Sequence, residues 1–303
     1  MSNHPQNKWI KYFDSDTVNR LVHIGFKPIG LVEGSLVGDH RSPFHGFAIE
    51  FAGHRGYVPG DDVKHIDWKA YYKTGKYLVK QYAQETNLIT HILLDVSESM
   101  KFEYKHGAKI DYAAFIATAI SQVIIEQSDS VGAFFFDNEI ISAIRITNTE
   151  EVVSKISSAV SESQLKDKSA IGKVLNHAAE RMGRRRVVFI ISDFFGDTEQ
   201  TFEGIKRLMD DKHEIVLLHI IDPLEINFDI QGRIELIELE GADRLEVMGV
   251  NVKEEYEKLF HEYLAEIKQK CLALGIDYLL CDMSKSFGYH LAEYLSSRSF
   301  RKA

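Results

Sequence analysis

Residues 91–100 read His-Ile-Leu-Leu-Asp-Val-Ser-Glu-Ser-Met, so that one acid and two hydroxyls, Asp95, Ser97 and Ser99, stand at alternate positions after an apolar run. A carboxylate with two hydroxyls is a set of hard, compact oxygen donors. Such donors suit a magnesium or manganese ion that keeps several of its waters. Taken alone, Asp-x-Ser-x-Ser also describes a capped turn in which Asp or Ser satisfies helix amides. Further oxygen donors at the ends of other strands separate these two readings. The chain offers Ser169, ahead of the helical pattern Ala-Ile-Gly-Lys-Val-Leu, and Asp193, which closes the run Arg186-Val-Val-Phe-Ile-Ile-Ser-Asp.

The elements that must position these residues follow from periodicity. Ile92–Leu94 and Val187–Ile191 are continuous apolar runs of strand length, as expected for strands covered on both faces. The segment 109–126 is apolar almost all round and predicts a helix covered on more than one side. Ser130–Phe136 and Glu139–Arg145, joined by Asp137-Asn138, predict a hairpin. Helices are expected at 14–24, 149–160, 170–182, 198–210, 252–274 and 286–297, and buried strands at 214–220 and 276–281. Strand alternating with helix gives an α/β fold with a mainly parallel central sheet and helices on both faces. Residues 222–250 break that rhythm with the alternation of Arg233–Glu240 and Arg244–Met248, which predicts an inserted β-hairpin. In such sheets ligands bind at the carboxyl ends of strands, where Asp95 and Asp193 stand.

Upstream, glycines at 30, 34, 38, 46, 53, 56 and 60 cut the chain into short pieces, with extended candidates near 45–52 and 76–84. The segment is dense in groups that are costly to bury unpaired: His40, Arg41, His45, Glu50, Arg55, Asp61, Asp62, His65, Asp67 and Lys80. It reads either as internal ion pairs fixing glycine-rich loops or as a recognition surface. The spacing of His40, His45, His54 and His65 matches no usual zinc pattern, and they read as structural histidines. The expected division is an N-terminal helix and β-rich module over 1–88, then an α/β domain over 89–303.

A 303-residue chain with 45% hydrophobic and 27% charged residues can bury a full core without staples. Its net charge of -9 argues against phosphate-backbone binding as the main activity. The triplet Arg184–Arg186 follows Gly183 and reads as a favourable interaction with a helix C-terminus. No apolar run reaches the ~18 residues of a bilayer span, and the first residues carry no signal-peptide core, so a cytoplasmic location is expected. Cys271 and Cys281 read as reduced, buried fillers.

The order Asp95-x-Ser97-x-Ser99, Ser169-Ala-Ile-Gly-Lys-Val-Leu175, Ile191-Ser-Asp193 resembles the von Willebrand factor type A fold with its metal-ion-dependent adhesion site. Ser169 stands where threonine is usual, and Ser161 and Ser163 are lesser alternatives to it. The run Gly53-His-Arg-Gly-Tyr-Val-Pro-Gly-Asp-Asp-Val-Lys-His-Ile-Asp-Trp68, with Leu78-Val-Lys80 and Glu85, is similar to the bacterial domain of unknown function 58 family. Tyr71-Tyr72 stands where many members have Ala-Arg. The resemblance implies a type A-like fold, a Mg2+ or Mn2+ ion held by Asp95, Ser97, Ser99, Ser169 and Asp193, and a partner carboxylate completing its coordination. It also implies a binding protein rather than an enzyme, working with a MoxR-type AAA+ ATPase on a client protein. Arg55, Gly60, Asp61, Asp62, Asp67, Trp68, Lys80 and Glu85 become partner-binding or structural family residues.

Two rival readings stay open. One is a metal-dependent hydrolase or phosphatase, against which stands the lack of a second acid two positions after Asp95 and of a placed general acid. The other is a type A domain whose metal site does not function and which binds partners through the upstream module.

Overall fold

The apolar run that precedes Asp95 belongs to an inner strand of a six-stranded sheet. The computed structural model describes residues 11–29, 49–84, 88–163, 165, 169–230, 233–237 and 244–300. These fall into two units, one built from 1–32 with 88–303 and the other from 33–87.

In the larger unit the elements run α1 (Ser15–Ile24), β3 (Ile89–Asp95), a 3-10 turn (Glu98–Lys101), β4 (Glu103–Tyr104), β5 (Gly107–Ala108), α3 (Lys109–Glu126), β6 (Ser130–Phe136), β7 (Ile140–Thr147), α4 (Glu151–Glu162) and α5 (Ile171–Arg181). They continue with β8 (Val187–Ser192), α6 (Thr198–Asp210), β9 (Glu214–Ile221), α7 (Pro223–Asn227), β10 (Arg233–Ile237), β11 (Arg244–Met248), α8 (Gly249–Leu274), β12 (Asp277–Asp282) and α9 (Phe287–Phe300). In the smaller unit β1 (Ile49–Gly56) pairs antiparallel with β2 (Leu78–Gln84), and a 3-10 turn (Val63–His65) and α2 (Trp68–Thr74) lie between them in sequence.

The sheet order is β12-β9-β8-β3-β6-β7, parallel except for the antiparallel edge strand β7. From β3 the chain first moves to β6 and β7, then returns to the other side of β3 with β8. The order reverses between β3 and β8, and in open α/β sheets the crevice for a ligand opens at that point, outside the carboxyl ends of the strands.

Period-two alternation sends successive β3 side chains to opposite layers. Ile92 and Leu94 join a core with α1, α3, α4 and α9, whereas Leu93 joins one with α5, α6 and α8. Helix α3 is buried along most of its length, as its all-round apolarity required.

The expected boundary at 88 misplaces α1. Its buried Val18 and Leu21 belong to the core that holds α3 and α9, and Thr118 on α3 donates to the Tyr12 carbonyl, so this helix is part of the larger unit. Residues 33–87 form a unit of their own, whereas the β10–β11 hairpin belongs to the larger unit. Residues 223–227, expected to lie in the hairpin region, form α7. A capping box accounts for it: Asp222 accepts from Leu224 N–H, Glu225 reaches back to Asp222 N–H, and Pro223 opens the helix.

Candidate functional site: an oxygen-lined crevice between two strands

Asp95 ends β3 and Asp193 follows β8, so the two acids flank the point where the strand order reverses. Asp95 is fully buried. Its Oδ1 accepts from Ser97 N–H at 2.9 Å, and its Oδ2 accepts from the Ser192 hydroxyl at 2.6 Å and the Ser169 hydroxyl at 3.0 Å. Ser97 Oγ and Ser99 Oγ are 3.1 Å apart, and Ser99 donates to Asp193 Oδ1 at 3.2 Å. The five donors expected from the sequence therefore meet in one network. Ser161 and Ser163 do not join it, because each hydroxyl donates to a carbonyl of α4.

These distances allow a test of fit. Neighbouring ligands around an octahedral magnesium ion, each bonded at 2.0–2.1 Å, stand about 2.9 Å from one another. The Ser97–Ser99, Ser99–Asp193 and Ser169–Asp95 separations of 3.1, 3.2 and 3.0 Å are close to that edge length. The donor set is two carboxylates and three hydroxyls, a hard-oxygen set, and it fits a small divalent cation. Among the described residues no three His, Cys, Asp or Glu side chains gather into a metal cluster.

Electrostatics point the same way. Burial, and then the neighbouring Asp193 charge, push the Asp95 carboxyl up to about 6. Two buried acids that repel one another are a cost that positive charge relieves.

The turn after β8 is strained. Phe194 adopts φ 54, which is uncommon for a non-glycine residue. The turn is held by the Phe194 N–H donating to Ser192 Oγ at 2.9 Å and by the Tyr263 hydroxyl donating to the Phe194 carbonyl at 2.6 Å. Ser192 thus serves both acids, since it donates to Asp95 and fixes the turn that carries Asp193.

Sequence reasoning missed a cation in this network. Lys109, 1% exposed, donates to Asp193 Oδ2 at 3.0 Å and to Glu225 Oε1 at 2.5 Å. Burial alone would lower its pKa, but the two carboxylates outweigh that and hold the ammonium above its ordinary value. The signal was present: a lysine opening an apolar helix faces the wrong end of the helix dipole and needs an acid nearby. Likewise Asp222-Pro-Leu-Glu225 is a readable capping box, and it places Glu225.

In the smaller unit, Arg55 and Asp61 make a two-pronged pair at 2.5 and 2.8 Å, which with the Val58 N–H holds the Asp61 carboxyl down at about 2. Gly60, at φ 115, makes the turn between them. Asp62 caps the 3-10 turn through Lys64 N–H. Asp67 caps α2 through Lys69 and Ala70, and receives His54 at 2.9 Å and Lys80 at 3.8 Å. These family residues make internal pairs and caps, whereas Trp68 is half exposed. Glu85, like His40 and His45, lies outside the described residues.

The family model described as "Protein of unknown function DUF58" matches residues 53–266. Uncharacterized proteins of Mycobacterium bovis and Mycobacterium tuberculosis are 22% identical over 271 residues, which is 88% of this chain and 85% of each relative. Among solved structures, the conserved hypothetical protein BatB from Bacteroides thetaiotaomicron is similar with a TM-score of 0.48 at 16% identity, over 72% of this chain and 100% of that one. An aerotolerance-related membrane protein from Bacteroides fragilis gives 0.46 at 16% identity, over 70% of this chain and 100% of that one. Among the described residues no helix is long and apolar enough to cross a membrane.

Proposed function

The chain belongs to the DUF58 family, and from that premise we propose that it is a metal-dependent protein-binding protein of the von Willebrand factor type A kind, an adaptor rather than an enzyme. The observation that carries this reading is the union of Asp95, Ser97, Ser99, Ser169 and Asp193 in one network where the strand order reverses. A divalent ion bound there, Mg2+ or Mn2+, supplies an electrophilic position for a carboxylate of a partner protein. The protein's own residues do the rest. Ser97 and Ser99 present neutral oxygens, so that few negative charges need bind directly, while Ser192 and the Phe194 turn hold the two acids in place. The partner is a MoxR-type AAA+ ATPase or the client protein on which the pair acts.

Hydrolytic chemistry has weaker support. The ammonium nearest the acids, Lys109, is engaged by Asp193 and Glu225 and shielded from solvent, which leaves it poorly placed as a general acid.

The test is co-purification of the chain with a MoxR-type ATPase encoded by the same organism, in magnesium and in chelator. Retention in magnesium, lost in chelator and in Asp95→Ala, supports the reading. Equal retention by both forms in both buffers removes the ion from the interface and turns attention to the surface around Arg55, Asp61 and Trp68.

A further inference from the structure

Lys109 stands between two carboxylates that belong to different parts of the fold. Asp193 follows β8 and belongs to the oxygen network, whereas Glu225 is in the first turn of α7, outside the donor set. Glu225 is itself fixed, because its second oxygen accepts from Asp222 N–H at 2.9 Å. The ammonium is almost wholly shielded, so water screens its charge little. Where its charge is spent depends on these two partners.

We infer that Glu225 is a positioning residue that sets the cation affinity of the crevice from outside it, by drawing the Lys109 charge away from Asp193. This rests on the reading of the crevice as a divalent-cation site. The formal charges state the case. Asp95, Asp193 and Glu225 against Lys109 sum to about two negative charges, and the buried Asp222 carboxylate beside Glu225 is the same in every variant. Neutralising Glu225 leaves Lys109 with Asp193 as its one anionic partner among the described residues, so that its whole charge is directed at an ion ligand. Removing the Lys109 charge does the reverse and leaves one carboxylate in excess. Removing both returns the cluster to its starting charge.

The two single changes therefore move affinity in opposite directions, which separates this inference from a merely structural role. A lysine or glutamate needed just to keep the crevice in shape would weaken binding whichever was changed. Glutamine suits the test at position 225, since Gln as well as Glu can complete a capping box.

The experiment is direct titration of the purified full chain with Mn2+, by calorimetry or by the manganese spin-resonance signal. Folding of each variant is checked by circular dichroism in chelator. Relative to wild type, Glu225→Gln is expected to weaken Mn2+ binding about tenfold, Lys109→Met to tighten it several-fold, and Lys109→Met/Glu225→Gln to return it to within about threefold. Should either single variant not fold without metal, the direction of the other against the double variant decides. Unchanged affinity in Glu225→Gln, or a loss in both single variants, overturns the inference. A wild-type chain that takes up no Mn2+ overturns the cation-site reading itself, and this inference with it.

Discussion

Gly204 on α6 lies against the backbone of Gly172 on α5: a Cβ at 204 would stand 2.7 Å from the Gly172 carbonyl oxygen and 2.9 Å from Leu175 Cβ. Neither neighbour is a flexible chain end. Gly204→Ala must push the helices apart and is expected to cost about 1–3 kcal/mol, the usual range for overpacking. Because α5 starts two residues after Ser169, the same change should also weaken Mn2+ binding. Urea denaturation and ion titration of one variant check both. A stable variant with unaltered affinity would show that the helix pair does not position Ser169.

An ion that binds the folded chain alone must raise its melting temperature. At a hundredfold excess over the dissociation constant the gain is about 2.7 kcal/mol, several degrees for a chain of this length. Magnesium or manganese should give that shift in wild type and not in Ser97→Ala, whose lost hydroxyl is one of the paired oxygens of the crevice. Scanning calorimetry with and without ion reads it. No shift at millimolar ion in wild type would make a functioning cation site untenable.

Asp129, in the turn between α3 and β6, accepts Leu88 N–H at 2.7 Å, yet burial pushes its carboxyl up to about 6 from an ordinary 3.8. An acid whose folded pKa lies above its unfolded one binds its proton more tightly when folded. The destabilisation is absent below about 4, grows between the two values and is complete above 6. Asp129→Asn keeps the acceptor oxygen and removes the charge. It is expected to add about 1–2 kcal/mol at pH 8 and nothing at pH 4, read from chemical denaturation at the two pH values. A gain that does not depend on pH would mean that the charge is not its source.

Asp67 caps α2 and also receives His54 and Lys80, so Asp67→Ala removes several contacts of the smaller unit at once. Faster amide exchange across residues 69–75 is expected, with Mn2+ affinity unchanged. Exchange followed by mass spectrometry tests this. Altered ion affinity would contradict the assignment of Asp67 to a local, structural task.

Much of the larger unit is written in local pattern. The helix at Lys109–Glu126 and the strand at Val187–Ser192 are legible because their apolar spacing, or lack of polar interruption, admits one kind of element. That Asp95, Ser97, Ser99, Ser169 and Asp193 come together was legible because Asp95 ends β3, Asp193 follows β8 and Ser169 precedes α5 by two residues. What escaped was decided at a distance or in short pieces. Lys109 and Glu225 are 116 residues apart, and no local spacing announces their pairing. Helix α2 is seven residues long, and its Asp67 cap and Gly75 stop sat in a stretch whose glycines and charges spoke for loop. Helix α1 was assigned to the wrong unit because a buried face shows that a helix needs a core, not which core.

Sheet order also governs how the protein is made. Strand β6, which covers one edge of β3, is translated soon after it, but β8, which covers the other edge and leads into Asp193, is translated much later. Ser99 and Asp193 are separated by 94 residues, which at ribosomal rates of roughly 5–20 residues per second is a wait of about 5–20 s. Once β6 is made, the apolar strand β3 still has one edge without its partner until β8 follows. Until Val187–Ser192 emerges, that edge is open to mispairing and to chaperones that recognise bare strand edges.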